Sequence, residues 1–217
     1  VGIGFLSAAG SHRTCAGPNR EACVAQAPPT GPGGEAVNDN FYFVHQQLDG
    51  DGSITMRVTS LSEQIPLPPR GGPGPTDLPS SQPGVVPWAK AGLIVKANTT
   101  QGSPYAAIMA TAAHGVRMQY NYTHDKAGDP ATVSQATPRW LRLTRSGDTL
   151  TGYESADGGN WTKVGVATLT GLPSTVQAGL FVASPDYEVT TSLALVGSST
   201  SGGPSTATAT FDDVSLQ

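Results

Sequence analysis

Charged side chains are scarce. Asp, Glu, Lys and Arg make up 13% of the 217 residues, and the formal net charge is −4. A soluble domain ordinarily carries about a quarter. No Lys/Arg cluster is dense enough to track a phosphate backbone, which argues against nucleic acid as a partner. Apolar runs are short as well. None approaches the ~18 residues of a membrane-spanning helix, so no membrane insertion is expected within this segment. The chain has no Met start and no charged segment leading into an apolar one. The expectation is an exported protein whose leader has been removed, or an excised piece of a longer one.

Cysteine is limited to two residues. Cys15 and Cys23 bracket AGPNREA in a turn-rich stretch. A disulfide closing so short a loop would contribute about 2.5 kcal/mol on the chain-entropy estimate. A metal pair is the competing reading, but no second Cys or His pair stands at ligand spacing. Free thiols are the other alternative, and an exported setting favours the disulfide.

Glycine (27) and proline (18) are plentiful, with much Ser and Thr, as in a chain of many short strands joined by turns. In HGVRMQYNY, Val116, Met118, Tyr120 and Tyr122 alternate with Arg117, Gln119, Asn121 and Thr123, a period of two. The preceding YAAIMATA (105–112) reads as the other arm of a hairpin bent at Ala113-His114-Gly115, with helix as the alternative. Further strands are expected at VGIGFL (1–6), 41–48, 53–61, 88–97, 139–145, 149–155, 161–169, 176–184 and 207–216. In 88–97, Ala89, Ala91, Leu93 and Val95 share one face. The fold class is all-β, a two-sheet antiparallel sandwich, read as one domain over 1–217. Segments at about 24–37 and 62–87 are rich in Pro and Gly without periodicity, and read as surface loops.

The stretch ESADGGNWTKVG (154–165) is similar to the Asp-box of sialidase-type propellers through Ser155, Asp157, Gly159 and Trp161. Propellers repeat that box once per blade. Here it occurs once, one residue short before the Trp. The favoured reading is a hairpin turn in which Asp157-Gly158-Gly159-Asn160 supplies the positive-φ residues.

Taken in order, GDGSITMRVTSL, PWAKAGLIVKA, YAAIMATAAHGVRMQYNY, PRWLRLTRSGDTLTGYESADGGNWTKVG, VQAGLFVAS and ATATFDDVSL resemble a known family. They look like the concanavalin A-like (laminin G-like) sandwich modules of secreted bacterial proteins, including those similar to the C-terminal domain of β-xylosidases. The resemblance runs from about Asn38 to Leu216. It implies a jelly roll with one concave sheet, in a fold that hosts lectins, glycanases and adhesion modules. Such modules accompany glycoside hydrolases and membrane-anchored proteins such as transporter permeases. The Cys-bearing start and the 62–87 insert depart from the common pattern.

Catalytic signatures are missing. The Glu-x-Asp-x-x-Glu strand motif of glycanases with this fold is absent, as is G-x-S-x-G. Glu154 with Asp157, and Asp186 with Glu188 in an expected loop, read as solvated charges. Sugar sites join an aromatic platform to planar polar groups, because a pyranose has an apolar face and equatorial hydroxyls. Arg117, Gln119 and Asn121 share a strand face; so do Trp140 and Arg142, and Trp88 and Lys90. On one concave sheet they would line a groove; the alternative is aromatic caps on the core edge with solvating Arg. The C-terminal strand changes phase at Asp212-Asp213, which predicts a β-bulge. In several sugar-binding sandwiches a similar final Asp-Asp-Val segment resembles a structural calcium site. Asp213 with Asp39 would then supply oxygen ligands; solvated Asp residues on a bulge are the competing reading. The expected function is a non-catalytic, extracellular or cell-surface module recognising carbohydrate or cell-envelope polymer. A structural or protein-docking domain of a larger envelope protein is the alternative, and a glycoside hydrolase comes third.

Overall fold

The computed structural model describes residues 12–16, 22–66, 81–84, 86–131, 138–193, 197–203 and 205–217, and none of these is helical. In chain order the strands are β1 (His12–Ala16), β2 (Ala22–Gln26), β3 (Tyr42–Asp49), β4 (Gly52–Pro66), β5 (Ser81–Pro83) and β6 (Lys90–Lys96). Next come β7 (Tyr105–Thr111), β8 (Val116–Tyr120), β9 (His124–Ala127), β10 (Arg139–Ser146) and β11 (Thr149–Ser155). The last are β12 (Thr162–Thr168), β13 (Thr175–Ala183), β14 (Tyr187–Leu193), β15 (Gly197–Gly203) and β16 (Thr206–Leu216).

Two antiparallel sheets carry the fold. Sheet I runs β12-β11-β10-β4-β16, with β5 paired to β4; sheet II runs β3-β13-β6-β7-β8-β9. The inner faces meet in one apolar layer. Sheet I contributes Ile54, Met56, Leu141, Leu143 and Leu150, and sheet II contributes Leu93, Ile108, Val116 and Met118. Alternation explains it: β10 reads buried and half-buried in turn, so Leu141 and Leu143 enter the core while Trp140 and Arg142 point away.

Sheet II is unusual in having both faces covered along β6 and β7. Its outer face carries a second apolar cluster of Ile94, Tyr105, Ala107, Met109 and Phe181, against which Val37, Phe41 and Phe43 pack. Two phenols end up in this layer. Burial raises the Tyr105 pKa well above the ordinary range; burial and then the Asp39 charge do the same for Tyr122. A folded pKa raised above the unfolded value gives stability that is present below pH ~10 and lost above it. Ultraviolet absorbance titration is therefore expected to show these two phenols ionising only with unfolding. Early titration of all six tyrosines in the folded protein would contradict this.

The hairpin arm expected at 105–112 forms as β7 (Tyr105–Thr111), not the alternative helix, because Tyr105, Ala107 and Met109 serve one face of sheet II while Ala106, Ile108 and Ala110 serve the other. Other expectations change. Of the segment expected as a loop at 62–87, residues 62–66 belong to β4 and 81–83 to β5, with Gln64, Ile65 and Pro66 paired to Pro83, Gln82 and Ser81, while 67–80 lie outside the described residues. Similarly, β2 takes up the first residues of the 24–37 segment. The loop expected around Asp186 and Glu188 contains the β14–β15 hairpin, whose Thr/Ser-rich strands lack an apolar alternation to announce them. The register pairs Cys15 with Cys23 across β1 and β2, but their side chains, and the expected disulfide, lie outside the described part. So does the strand expected at 1–6. The bulge at the C-terminus is present: the β16–β4 register shifts between Asp212 and Ser215, and Asp213 has φ 50°.

Candidate functional site

The side chains expected to form one groove divide between the two outer faces. On sheet II, Trp88 stacks on His114 at 3.9 Å, with Lys90 Nζ and Arg117 Cζ 5.5 and 5.7 Å from its ring. Arg117 is also tied to the Asp125 carboxylate, through Nε at 3.2 Å and through Nη2. Gln119 donates to the same carboxylate at 3.3 Å. Asn121 sits in the turn after β8 at φ 44°, its side-chain oxygen accepting from Tyr105 N. This face is closed: Lys90 is 2% exposed and Gln119 3%, and burial lowers the Lys90 pKa to about 8.

Asp39 and Asp213 do not come together. Asp39 is buried against sheet II, where Oδ2 accepts from Lys96 Nζ at 2.6 Å, Tyr122 Oη at 2.8 Å and Gly102 N at 2.8 Å. Lys96 Nζ in turn lies 5.6–5.9 Å from the ring centroids of Phe41, Tyr105 and Tyr122. Asp213 stands on the bulge of β16 in sheet I, 3.6 Å from Arg57 Nε. Among the described residues no group of three His, Cys, Asp or Glu is placed to hold a metal ion.

Sheet I presents the open face. Cross-strand register aligns Ser155, Trp140, Arg57 and Asp212 in one row. The next row is Lys163, Tyr153, Arg142 and Thr55. Arg57 lies 5.5 Å from the Trp140 ring and grips the Asp212 carboxylate with two nitrogens, Nε at 2.7 Å. That pair raises the Arg57 pKa and holds the Asp212 carboxyl below its ordinary range. Arg142 lies over the Trp161 ring, its Cζ 3.9 Å from the centroid, and donates Nε to Thr55 Oγ1 at 3.1 Å. No carboxylate among the described residues pairs with Arg142.

The β11–β12 turn supports this face. Asp157 Oδ1 accepts from Gly159 N and Asn160 N at 2.8 Å, and the Ser155 hydroxyl accepts from Gly158 N at 2.9 Å. The Asn160 and Gly159 donors hold the Asp157 carboxyl far below the carboxylate range. The Asp-box likeness thus resolves into a self-capped turn on an indole. Gly158 has φ +76°, and a Cβ there would lie 2.8 Å from Trp140 Cε2. Gly158→Ala is expected to cost about 1–2 kcal/mol for the left-handed backbone alone. The displaced indole should also change the near-ultraviolet circular dichroism; an unchanged spectrum and melting point would refute that packing.

Sequence reasoning missed a cleft between the sheets at one end of the sandwich. It measures about 540 Å³ and is lined by Gly128, Asp129, Arg139, Glu154, Asn160 and Lys163, among others. Glu154 is not the solvated charge expected: it is 5% exposed, in phase with core residues Leu150 and Gly152. Arg139, at 9%, is in phase with Leu141 and Leu143. Glu154 Oε1 accepts from Asp129 N at 2.7 Å, and Arg139 Nη1 reaches Asp129 Oδ2 at 3.2 Å. Burial raises the Glu154 pKa, against the opposing pull of Asp129 N and Arg139. The signal was available in the strand phase, which turns both residues inward.

No protein-family model matches the sequence, and no curated protein matches it either. Solved structures with a similar fold include a functionally unknown protein from Saccharomyces cerevisiae, 14% identical, with TM-score 0.49 over 88% of this chain and 83% of that one. Another is scytalido-glutamic peptidase with a transition-state analogue inhibitor, 13% identical, TM-score 0.42, covering 82% and 81%. A third is the carbohydrate-binding module CBM66 from Bacillus subtilis, 15% identical, TM-score 0.40, covering 82% and 92%. At such identities the likeness extends to the β-sandwich alone and leaves function to the residues of this chain.

Proposed function

We propose that this protein is an exported, non-catalytic β-sandwich that recognises carbohydrate or cell-envelope polymer on the outer face of sheet I. One observation carries the reading: Trp140, Trp161 and Tyr153 lie interleaved with Arg57 and Arg142 on a half-exposed sheet face. Aromatic edges supply the apolar contact a pyranose ring needs, and oriented guanidinium groups supply fixed donors for its hydroxyls. The binding module among the similar structures agrees with this reading without carrying it. In affinity electrophoresis through polysaccharide gels, Arg142→Ala is expected to weaken retention about tenfold, ~1.4 kcal/mol, the scale of one charged hydrogen bond. Equal retention of a folded Arg142→Ala protein would remove Arg142 from the site.

A second reading, docking of an envelope protein, draws on a different observation. Tyr42 and Val44 on edge strand β3, and Val214 on edge strand β16, are large exposed apolar residues. Edges of this kind invite strand pairing or apolar contact. Retention on no polysaccharide, together with a Val44→Lys change that abolishes capture of a parent-protein neighbour, would favour docking.

A further inference from the structure

We propose that the end cleft is a second binding site, which takes one terminal sugar residue through a neighbouring pair of hydroxyls. The proposal rests on the carbohydrate reading of sheet I but uses none of the five side chains that carry it, Trp140, Trp161, Tyr153, Arg57 and Arg142. The first ground is the phase of two strands. Arg139 and Glu154 occupy core-facing positions, where a sandwich closed by packing alone places apolar side chains. Each keeps a buried atom without a hydrogen-bond partner, Arg139 Nε and Glu154 Oε2. Native structures satisfy nearly all such atoms, so a pair of them beside one cavity calls for a cause.

The second ground is how the two groups are held. Asp129 engages both, its backbone N on Glu154 Oε1 and its carboxylate on Arg139 Nη1. What remains unsatisfied is one donor and one acceptor. Gly128 lets the loop approach closely, since a Cβ there would lie 2.7 Å from Glu154 Oε1. The cavity, at about 540 Å³, falls within the ~300–1,000 Å³ of small-molecule sites.

Charge narrows the ligand class. Arg139 and Lys163 face Asp129, Glu154 and Asp157 around the same cavity. An anion would meet three carboxyl groups, and a cation would meet two bases. A neutral polyhydroxyl compound avoids both, and a neighbouring pair of hydroxyls offers a donor and an acceptor, the complement of the Glu154 carboxylate and the Arg139 guanidinium that line the cavity. Val164 and Pro130 add apolar wall for the ring carbons. The β11–β12 turn connects the two sites, with Gly158 on Trp140 and Asn160 in the cleft.

The test is saturation-transfer NMR on the full chain with methyl α- and β-glycosides of glucose, galactose, mannose and xylose, alongside amide-shift mapping and polysaccharide gel retention. The expected result is at least one methyl glycoside bound, with shifts centred on 128–130 and 154–160. Glu154→Gln keeps the bond from Asp129 N and replaces the free acceptor by a donor; it should weaken binding about tenfold or more. Ala156→Tyr, at an exposed lining position, should block the cleft without touching either charged group. Polysaccharide retention with no methyl glycoside bound, or with shifts confined to sheet I, would overturn the cleft site and leave the outer face standing. Unchanged affinity in both folded variants would overturn it as well. Methyl glycoside bound in the cleft, with retention insensitive to Arg142→Ala, would support the cleft and count against the outer face. No binding of any sugar would overturn both.

Discussion

Asp39→Ala is expected to destabilise the protein by ~3–5 kcal/mol, the cost of leaving one member of a buried ion pair alone. Both side chains of the Lys96–Asp39 pair are 2% exposed, and the ammonium's other described neighbours are aromatic faces and the Tyr122 hydroxyl. Burial already pulls the Lys96 pKa down, with Asp39 resisting. Without Asp39 the folded pKa falls further below the unfolded value. The unfolded chain then binds more protons, so stability rises with pH across that window. The deficit of Asp39→Ala measured by urea unfolding should thus shrink from pH ~7 to pH ~9, below the range where the buried phenols intervene. A variant as stable as the wild type at neutral pH would show that the pair is not buried as described. Replacing both partners, with Asp39→Leu and Lys96→Met, should recover much of the loss, because desolvation of two charges is removed along with their attraction.

Adjacent residues of β10 should behave in opposite ways. Leu141→Ala is expected to cost ~2–5 kcal/mol, since the side chain is fully buried between the sheets and its removal leaves a cavity. Trp140→Ala lies one residue away on the outer face, and it should leave a folded protein whose glycan binding is impaired. Thermal unfolding of the two variants side by side reads the strand phase directly. A register slip of one residue would exchange the two outcomes.

Much of this architecture follows from period-two patterning, and much does not. Ala91, Leu93 and Val95 share the inner face of sheet II as their spacing requires, and the phase change at Asp212-Asp213 is a bulge at the predicted place. The 113–115 bend joins β7 to β8. Local alternation tells which residues share a face, because successive side chains point to opposite sides. It does not tell which sheet a strand joins. Residues 49–52 join the consecutive strands expected at 41–48 and 53–61, yet β3 belongs to sheet II and β4 to sheet I. For that reason Trp88, in the turn before β6, and Trp140, on the outward phase of β10, fell beside different sheets. The partnership of Asp39 with Lys96 spans 57 residues and depends on how 27–41 folds over sheet II, which no local pattern encodes. Glu154 is a different case. Its phase was legible, but its place in a turn-like Asp/Gly stretch outweighed it.

The central claim is that the outer face of sheet I binds glycan. A glycan array probed with the wild type beside a Trp140→Ala/Trp161→Ala double variant tests it most directly, with folding of the variant checked by circular dichroism. The account predicts clear binding of the wild type to one polysaccharide class and its loss in the folded variant. Binding that survives both substitutions, or no binding by the wild type to any glycan, would contradict it.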